Sequence, residues 1–365
     1  EDFAKLDNKK LDTFFKNTGM SRRYTAVQVK EMVAADKVKP TTVYDYLFTD
    51  DGFQGSPIGC EVYRSDDAGV SWKKVNEKEI QIFFTYGYYF SKIYVSPVNE
   101  NKVFVLGFSS QLSTDGGKTF KNMDKPSVHA DHHALWVNPK KDSHLINGND
   151  GGVNITYDDG EHWFKANTPA VGQFYAITAD NAKPYNVYGG LQDNGVWYTP
   201  SVVPRNPFVN SGLGLSDGIE KSIGGGDGMY VQVDSRDNTT TYYGSQFGSY
   251  ARTNRVTREG TKRITPQHSL GELPYRFNWQ TPILLSSHNQ DILYMGSNFL
   301  HRSMNQGQTW TAISPDLTQG AKEGNVAFGT IAAISESTLQ FGLLYTGSDD
   351  GLIHVSKDGG KNWDN

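Results

Sequence analysis

The sequence contains a single cysteine, Cys60, and this scarcity excludes two kinds of site. One cysteine cannot form an internal disulfide, and it cannot supply a zinc site built from several thiolates. No apolar run approaches the roughly 18 residues of a membrane-spanning helix, so we expect no membrane span. Basic residues are not in excess, since 35 Lys and Arg stand against 40 Asp and Glu spread along the chain. We therefore expect no nucleic-acid partner.

Glycine and aromatic residues are abundant instead, with 38 glycines and 13% Phe, Trp and Tyr, although hydrophobic residues make up only 37%. This composition is unlike that of a helical protein rich in Ala, Leu and Glu, and it favours short strands joined by tight turns. The 365 residues allow two domains or one large β or α/β domain. The chain starts at Glu1 and stops at Asn365 just after a motif, so we expect a piece of a longer, multi-domain protein.

An octapeptide with the pattern Ser/Thr-x-Asp/Asn-x-Gly-x-x-aromatic recurs along the chain. Its copies read SDDAGVSW, STDGGKTF, TYDDGEHW, SMNQGQTW and SKDGGKNW, and they start at Ser65, Ser113, Thr156, Ser303 and Ser356. The gap between the third and fourth copies is about three periods long, which predicts two decayed copies, at YNVYGGLQDNGVWYT and TTYYGSQFGSYART. Together they give seven repeats with a period of about 49 residues.

The octapeptide has the chemistry of a self-contained turn. Its Asp or Asn can accept hydrogen bonds from backbone N–H groups, its Gly can take a positive φ, and its aromatic ring can pack back between strands. We therefore interpret the third residue of each copy as structural: Asp67, Asp115, Asp158, Asn305 and Asp358.

Each period contains four short runs of β character, strands a to d. In the third repeat these are HHALWVNP, SHLINGN, GVNITY and HWFKANT, and the octapeptide closes the turn between c and d. Four short strands in roughly 40–50 residues are typical of a propeller blade. The sequence predicts an all-β fold, a seven-bladed β-propeller over residues 41–365, whose first blade lacks an obvious strand a before TTVYDYLF. Residues 1–40 have helical spacing and form either an insertion or a cap.

The octapeptide is the Asp-box, and the chain resembles the Asp-box (bacterial neuraminidase repeat) β-propellers over about residues 41–365. The combination of HADHHALWVNP, NGNDGGV, GQFYAIT, YGGLQDNGVW and GGGDGMYVQVD is similar to a bacterial, sortilin-related and glycosyl-hydrolase-like branch of that group. The resemblance implies a secreted protein, extracellular or periplasmic. It disfavours a sialidase, because the Arg-Ile-Pro motif of those enzymes does not occur.

Propeller topology places the b–c turns and the d–a loops on the face opposite the Asp-boxes. The unusual segments gather there: IQIFFTYGYYF, VHADHH, PAVGQFY, residues 201–228 and LPYRFNWQ in the loops, and NDGG, QDNG and SDDG in the turns. Loops on a rigid scaffold commonly carry ligand sites, so we expect the site at this mouth.

A glycosidase needs two carboxylates at a defined separation. The candidates are Asp193, Asp227 and Asp131, with Asp193 and Asp227 preferred. Ligand contacts are predicted from the His, carboxylate, amide, Arg and aromatic residues of the same loops: His129, His132, His133, Asp150, Gln173, Tyr175, Asn194, Trp197, Arg276 and Trp279.

These motifs also have structural interpretations. His132 and His133 are adjacent on a strand and point to opposite faces, so they cannot easily share an ion, and we expect no metal and no cofactor. NDGG and QDNG suit hairpin turns, in which Gly151 and Gly195 supply the positive φ. The three glycines before Asp227 would let the backbone approach a ligand closely.

Two functions remain open from the sequence. The first is a propeller that binds or hydrolyses a glycan, so that enzymatic activity stays undecided. The second is a non-catalytic, sortilin-like module that binds a protein or peptide, or a scaffold within an extracellular assembly. The expected ligands are polysaccharides, oligosaccharides or peptides. A second propeller, or other domains of the same protein, are further expected partners, because xyloglucan-cleaving relatives use a cleft between two propellers.

Overall fold

The computed structural model describes residues 2–18, 20, 24–47, 59–83, 86–166, 171–202, 221–322 and 327–365. It divides into a larger compact unit, Glu1–Gly52 with Val171–Asn365, and a smaller one, Phe53–Ala170. Three parts of the predicted loops, residues 84–85, 169–170 and 203–220, lie outside the described residues.

The smaller unit contains antiparallel sheets in which each strand pairs with the next one along the chain. The first is the pair β1 (Tyr63–Arg64) and β2 (Lys73–Lys74). The second consists of β3 (Lys92–Val95), β4 (Val103–Leu106), β5 (Ser110–Ser113) and β6 (Lys121–Asn122). The third consists of β7 (His132–Val137), β8 (Leu145–Asn149), β9 (Gly152–Thr156) and β10 (Phe164–Lys165). The four strands of this third sheet fall in the four predicted runs, in the predicted order.

The core of the smaller unit explains its strand composition. All four residues of β4 are buried, which is why VFVL is a continuous apolar run rather than an alternating one. Side chains from β4 and β5 pack with Leu135 of β7 and Leu145 of β8 in one apolar cluster. The second and third sheets therefore share a core, as neighbouring propeller blades do.

The larger unit contains four more meandering antiparallel sheets among its described residues. The first two consist of β11 (Phe174–Ala179), β12 (Asn186–Leu191), β13 (Gly195–Pro200) and β14 (Lys221–Gly224), and of β15 (Val231–Val233), β16 (Thr240–Ser245), β17 (Ser249–Asn254) and β18 (Lys262–Arg263). The others consist of β19 (Ile283–Leu285), β20 (Leu293–Gly296), β21 (Leu300–Ser303) and β22 (Thr311–Ala312), and of β23 (Ile331–Glu336), β24 (Leu344–Ser348) and β25 (Ile353–Ser356). The two decayed repeats supply the hairpins β12–β13 and β16–β17, as predicted.

The N-terminal segment is helical: α1 (Asp2–Lys5), α2 (Asn8–Asn17), α3 (Ala26–Ala34) and α4 (Pro40–Leu47). Thr25 and Gln28 form a capping box at the start of α3. The repeat pattern placed TTVYDYLF at the start of the propeller, but its first seven residues belong to α4, and residue 48 lies outside the described residues. Pro40 favours this helix start because its fixed φ suits the first turn, and Val43 packs into the helical core with Leu270.

The Asp-box turns share one hydrogen-bond pattern. In every copy the first Ser or Thr hydroxyl donates to Oδ1 of the Asp or Asn. The backbone N–H four residues after the Asp or Asn donates to the same Oδ1 at 2.9–3.0 Å. Bonds from the Ser71 side chain and backbone lower the pKa of Asp67 to about 2. These side chains are thus engaged within their own turns.

The Asp-box tryptophans join consecutive sheets. The indole N–H of Trp163 donates to the carbonyl of Met123, which directly follows β6. Trp310 and Trp363 make the same bond to Ile264 and Ile313, which directly follow β18 and β22. These three indole rings therefore tie their turns to the end of the outer strand of the preceding sheet, whereas the Trp72 indole donates to the Gly69 carbonyl within its own turn.

Candidate functional site

In the larger unit, Asp227 lies between two hairpin turns. Its Oδ1 accepts hydrogen bonds from Gln192 Nε2 and from the backbone N–H of Asp193, both at 2.7 Å, and its Oδ2 accepts one from Gln246 Nε2 at 2.7 Å. Gln192 and Asp193 belong to the β12–β13 turn and Gln246 to the β16–β17 turn. Asp227 is only 5% exposed. Its carboxylate therefore ties the turns of two neighbouring sheets together.

The glycines around Asp227 bring two backbones into contact. A Cβ at Gly228 would lie 2.1 Å from Gly195 O, and one at Gly195 would lie 2.1 Å from Gly224 O. Gly195 also has a φ of +71°. We predicted that these glycines admit a ligand, but at Gly224 the space of the missing side chain is taken by the Tyr243 ring, 2.4 Å from where a Cβ would lie.

The two preferred catalytic carboxylates are brought together. Burial is the main cause that raises the pKa of Asp227; the Asp193 N–H bond opposes the rise, and the nearby Asp193 carboxylate adds to it. Asp193 itself is exposed and has a φ of 55°. A buried acid beside an exposed one suits general acid–base chemistry, yet three donors already occupy the oxygens of Asp227.

A chain of side chains extends from Asp227 to Trp279. The indole N–H of Trp279 donates to the Tyr175 hydroxyl at 3.1 Å, and that hydroxyl donates to Gln192 Oε1. Burial raises the pKa of Tyr175. Sequence reasoning found Tyr175 and Trp279 but missed Gln192 and Gln246. The signal was available, since a Gln opens the b–c turn of both decayed repeats, in QDNG and in QFG.

The remaining predicted ligand contacts of the larger unit support its loops. Trp197 donates to Asn194 O at 2.6 Å, and Asn194 Nδ2 donates to Gln192 O. Gln173 is exposed, and its carbonyl accepts the backbone N–H of Gln192. The Arg276 guanidinium bonds Asp316, Thr318 and the Gly329 carbonyl at 2.9–3.0 Å. It holds three loop segments together.

In the smaller unit, an imidazole and a carboxylate form an accessible pair. His133 Nε2 lies 2.7 Å from Asp150 Oδ1, and the two side chains are 35% and 40% exposed. The His133 ring stacks on Phe90 at 5.5 Å, and Tyr89 meets its edge at 5.3 Å. We call the group Tyr88, Tyr89, Phe90, His133 and Asp150 the aromatic–histidine patch.

His132 points the other way, as the strand alternation predicts. It is fully buried, with Nδ1 2.9 Å from Asn147 Oδ1 and Nε2 3.1 Å from Asp124 Oδ1. Burial alone would lower the pKa of His132, but the bonds with Asp124 and Asn147 outweigh it and raise that pKa. The prediction that His132 contacts a ligand is wrong, because its ring has no access to the surface.

The loop before β7 is held on the β8–β9 turn. Asn149 Nδ2 donates to His129 O at 2.9 Å, and the backbone N–H of Asp150 donates to Asp131 O at 3.2 Å. A Cβ at Gly151 would lie 2.4 Å from the His129 Cβ, so only glycine fits there. These bonds fix the positions from which His133 and Asp150 meet. No three His, Cys, Asp or Glu side chains in the described ranges are grouped to hold a metal ion.

Meandering antiparallel sheets with Asp-box turns are the pattern typical of Asp-box β-propellers. Residues 60–194 match the family model described as Sortilin-Vps10, sortilin, neurotensin receptor 3. This match confirms the resemblance to the sortilin-related Asp-box propellers. A search of the curated proteins gave no match. Within the part of the chain that the structure describes, no helix is both long and apolar enough to cross a membrane.

Several solved structures are similar. A GH74 enzyme from Niastella koreensis is 18% identical (TM-score 0.35), with 83% of this chain and 50% of that chain covered. The GH74 xyloglucanase from Xanthomonas campestris is 14% identical (TM-score 0.33; 83% and 49% covered). YCF48 bound to D1 peptide is 11% identical (TM-score 0.30; 81% and 86% covered). The chain thus spans about half the length of the two GH74 proteins.

Proposed function

We propose that the chain is a non-catalytic glycan-binding module, a β-propeller whose seven repeats are its blades. It acts after export, and its partners include other domains of the same protein. Two observations support this function. In the larger unit, hydrogen-bond donors already occupy both carboxylate oxygens of Asp227. In the smaller unit, the aromatic–histidine patch is accessible.

The observation that carries the proposal is the occupancy of Asp227. A general acid must reach the glycosidic oxygen with a proton, and a nucleophile or base needs an unobstructed lone pair. Asp227 accepts bonds on both oxygens from Gln192, Asp193 and Gln246, and it is nearly excluded from solvent. This arrangement favours a carboxylate that holds turns together over one that cleaves a glycan.

The aromatic–histidine patch has the chemistry that glycans require. Sugar rings present C–H groups that pack on aromatic faces, and their hydroxyls bond to carboxylates, amides and imidazoles. The patch offers exposed tyrosines beside the His133–Asp150 pair. Binding by this surface would need no contribution from Asp227.

Two measurements on the same protein test the proposal. Release of reducing ends is followed over a polysaccharide panel with the wild type, Asp193→Asn and Asp227→Asn, and binding is measured on a glycan array. We expect no hydrolysis by any variant and binding of at least one glycan. Hydrolysis that disappears in Asp227→Asn, while that variant keeps its circular dichroism spectrum, would show that the protein is an enzyme. Binding of peptides but of no glycan would overturn the choice of ligand.

A further inference from the structure

One turn of the smaller unit presents two tyrosines on a rigid support. The backbone N–H groups of Tyr89 and Phe90 both donate to the carbonyl of Tyr86, at 2.9 and 3.1 Å. Phe90 is buried, whereas Tyr88 and Tyr89 are 77% and 59% exposed. The buried Phe90 side chain and these two hydrogen bonds restrict the turn, so the exposed Tyr88 and Tyr89 side chains project from a restricted backbone. Preorganised aromatic side chains lose little entropy on binding.

The His133–Asp150 pair borders this turn. Phe90 stacks on the His133 ring and Tyr89 touches its edge, so the imidazole joins the aromatic turn to the carboxylate. Within the described residues the Asp150 carboxylate makes no side-chain bond other than that to His133 Nε2. Its second oxygen is therefore available to accept hydroxyl donors. An aromatic face and a carboxylate acceptor thus meet around one imidazole.

The negative charge of Asp150 would favour uncharged sugars over acidic ones. The backbone N–H of Asp150 is taken up by the Asp131 carbonyl, while the Asp150 carboxylate itself is 40% exposed and carries the charge that a ligand would meet. A uronate or sialate carboxylate approaching Asp150 would meet a like charge, and such juxtapositions disfavour binding. A neutral sugar hydroxyl would instead donate to the Asp150 oxygen as a charge-assisted hydrogen bond.

We infer that the aromatic–histidine patch is the binding site for an uncharged sugar ring, whose C–H face packs on Tyr89 while its hydroxyls bond Asp150. This inference rests on the proposed function and specifies its site and its sugar class. Recognition by packing and hydrogen bonds, without ion pairing to the ligand, makes the affinity nearly independent of salt.

The experiment uses the whole chain and an array of neutral, uronate- or sialate-containing, and amino-sugar oligosaccharides of matched length. The strongest neutral binder is then titrated calorimetrically into the wild type and into Tyr89→Ala, Asp150→Asn and Tyr157→Ala. Tyr157 is the matched control, because it lies in the same unit, is 58% exposed and is not part of the patch.

We expect neutral oligosaccharides to bind best. We also expect Tyr89→Ala and Asp150→Asn each to weaken binding by about ten-fold or more, as for loss of an aromatic contact or a charge-assisted hydrogen bond. Tyr157→Ala and a rise in salt should each change the affinity by less than about two-fold. Neutral binding that both patch variants leave unchanged overturns this site but leaves the proposed function standing. Preference for acidic or amino sugars overturns the sugar class, and absence of all glycan binding overturns the proposed function itself.

Discussion

The β8–β9 turn and the β12–β13 turn carry the same sequence feature, an Asp followed within two residues by Gly, and put it to different use. In the first turn Asp150 pairs with His133 at the surface. In the second, Asp193 is exposed, but its backbone N–H donates to the buried Asp227. The role of each turn is decided by the loop that meets it, HADHH in one sheet and GGGDG in the other.

A third turn of this kind strengthens the comparison. Asp349, in the β24–β25 turn, accepts bonds from the backbone N–H groups of Gly329 and Thr330 at 3.0 and 2.9 Å, and from the Thr330 hydroxyl at 2.7 Å. Donors of the loop before β23 thus bond to both of its carboxylate oxygens. Of these three aspartates, Asp150 alone pairs with an accessible imidazole, which is why we place the ligand there.

The largest loss of stability is expected in the β12–β13 turn, where Gly195 closely approaches the GGGDG loop. Gly195→Ala places a Cβ 2.1 Å from the Gly224 carbonyl at a positive φ, and we expect it to lower the free energy of unfolding by about 3 kcal/mol. Gly351→Ala is the control, since Gly351 also has a positive φ but has nothing within 4 Å; about 1 kcal/mol is expected. Urea denaturation measures both. Equal losses would show that the close approach of the two backbones has no energetic consequence.

The second-largest loss of stability is expected when the Asp227 carboxylate, which bonds to both turns, is removed. Asp227→Ala leaves the Gln192 and Gln246 side chains and the Asp193 N–H without their acceptor, so we expect a loss of about 2 kcal/mol in urea denaturation. Asp193→Asn, which keeps the backbone N–H and a side chain that tolerates the φ of 55°, should change stability by less than about 0.5 kcal/mol. If the two variants were equally stable, Asp227 would not be the tie between the turns.

The pH dependence of stability distinguishes Asp227 from the Asp-box carboxylates. Because the folded-state pKa of Asp227 is raised, the folded protein binds the proton more tightly, and this contribution to stability is lost as pH rises above about 4 through the raised value. Asp227→Asn should abolish that component. Thermal denaturation between pH 4 and 8 measures it, and a pH profile that is the same with and without Asp227 would contradict the assignment.

Asp158 should behave in the opposite sense. Hydrogen bonds from the His162 backbone and side chain hold its pKa at about 2, below the ordinary 3.8, so its contribution is present above pH 4 and is lost as pH falls toward 2. Asp158→Asn should remove the Asp158 contribution to acid sensitivity, leaving those of Asp67, Asp115 and Asp358, yet keep the turn, because Asn305 already occupies the same position of another Asp-box. Acid titration followed by Trp163 fluorescence measures the change. An unaltered acid transition in the variant would mean that another group controls it.

The smallest effect on stability is expected for a substitution in the aromatic–histidine patch. The His133–Asp150 pair is more than a third exposed, so Asp150→Asn should alter the free energy of unfolding by less than about 1 kcal/mol. A much larger loss in urea denaturation would show that Asp150, like Asp349, serves the fold rather than a ligand.

Local and periodic features could be predicted from the sequence. The Asp-box turns close through hydrogen bonds between residues at most four positions apart, and strand alternation correctly sends His132 and His133 to opposite faces. Residues 41–47 were assigned to the first blade, because TTVYDYLF is rich in β-branched and aromatic residues. They are helical instead, and Val43 packs in one core with Leu270, a contact so distant in the chain that the local pattern does not reveal it. Gln192 and Gln246 were missed for a similar reason, since the acceptor that gives them a role lies in another segment of the chain.

We propose different roles for two aspartates: Asp150 contacts the sugar, and Asp227 holds the β12–β13 and β16–β17 turns together. Calorimetric titration of the neutral oligosaccharide selected on the array into Asp150→Asn and Asp227→Asn, at a temperature where both are folded, compares them directly. The account predicts that Asp150→Asn loses about ten-fold or more in affinity while Asp227→Asn stays within about two-fold of the wild type. Loss of affinity in Asp227→Asn with Asp150→Asn unchanged would contradict it.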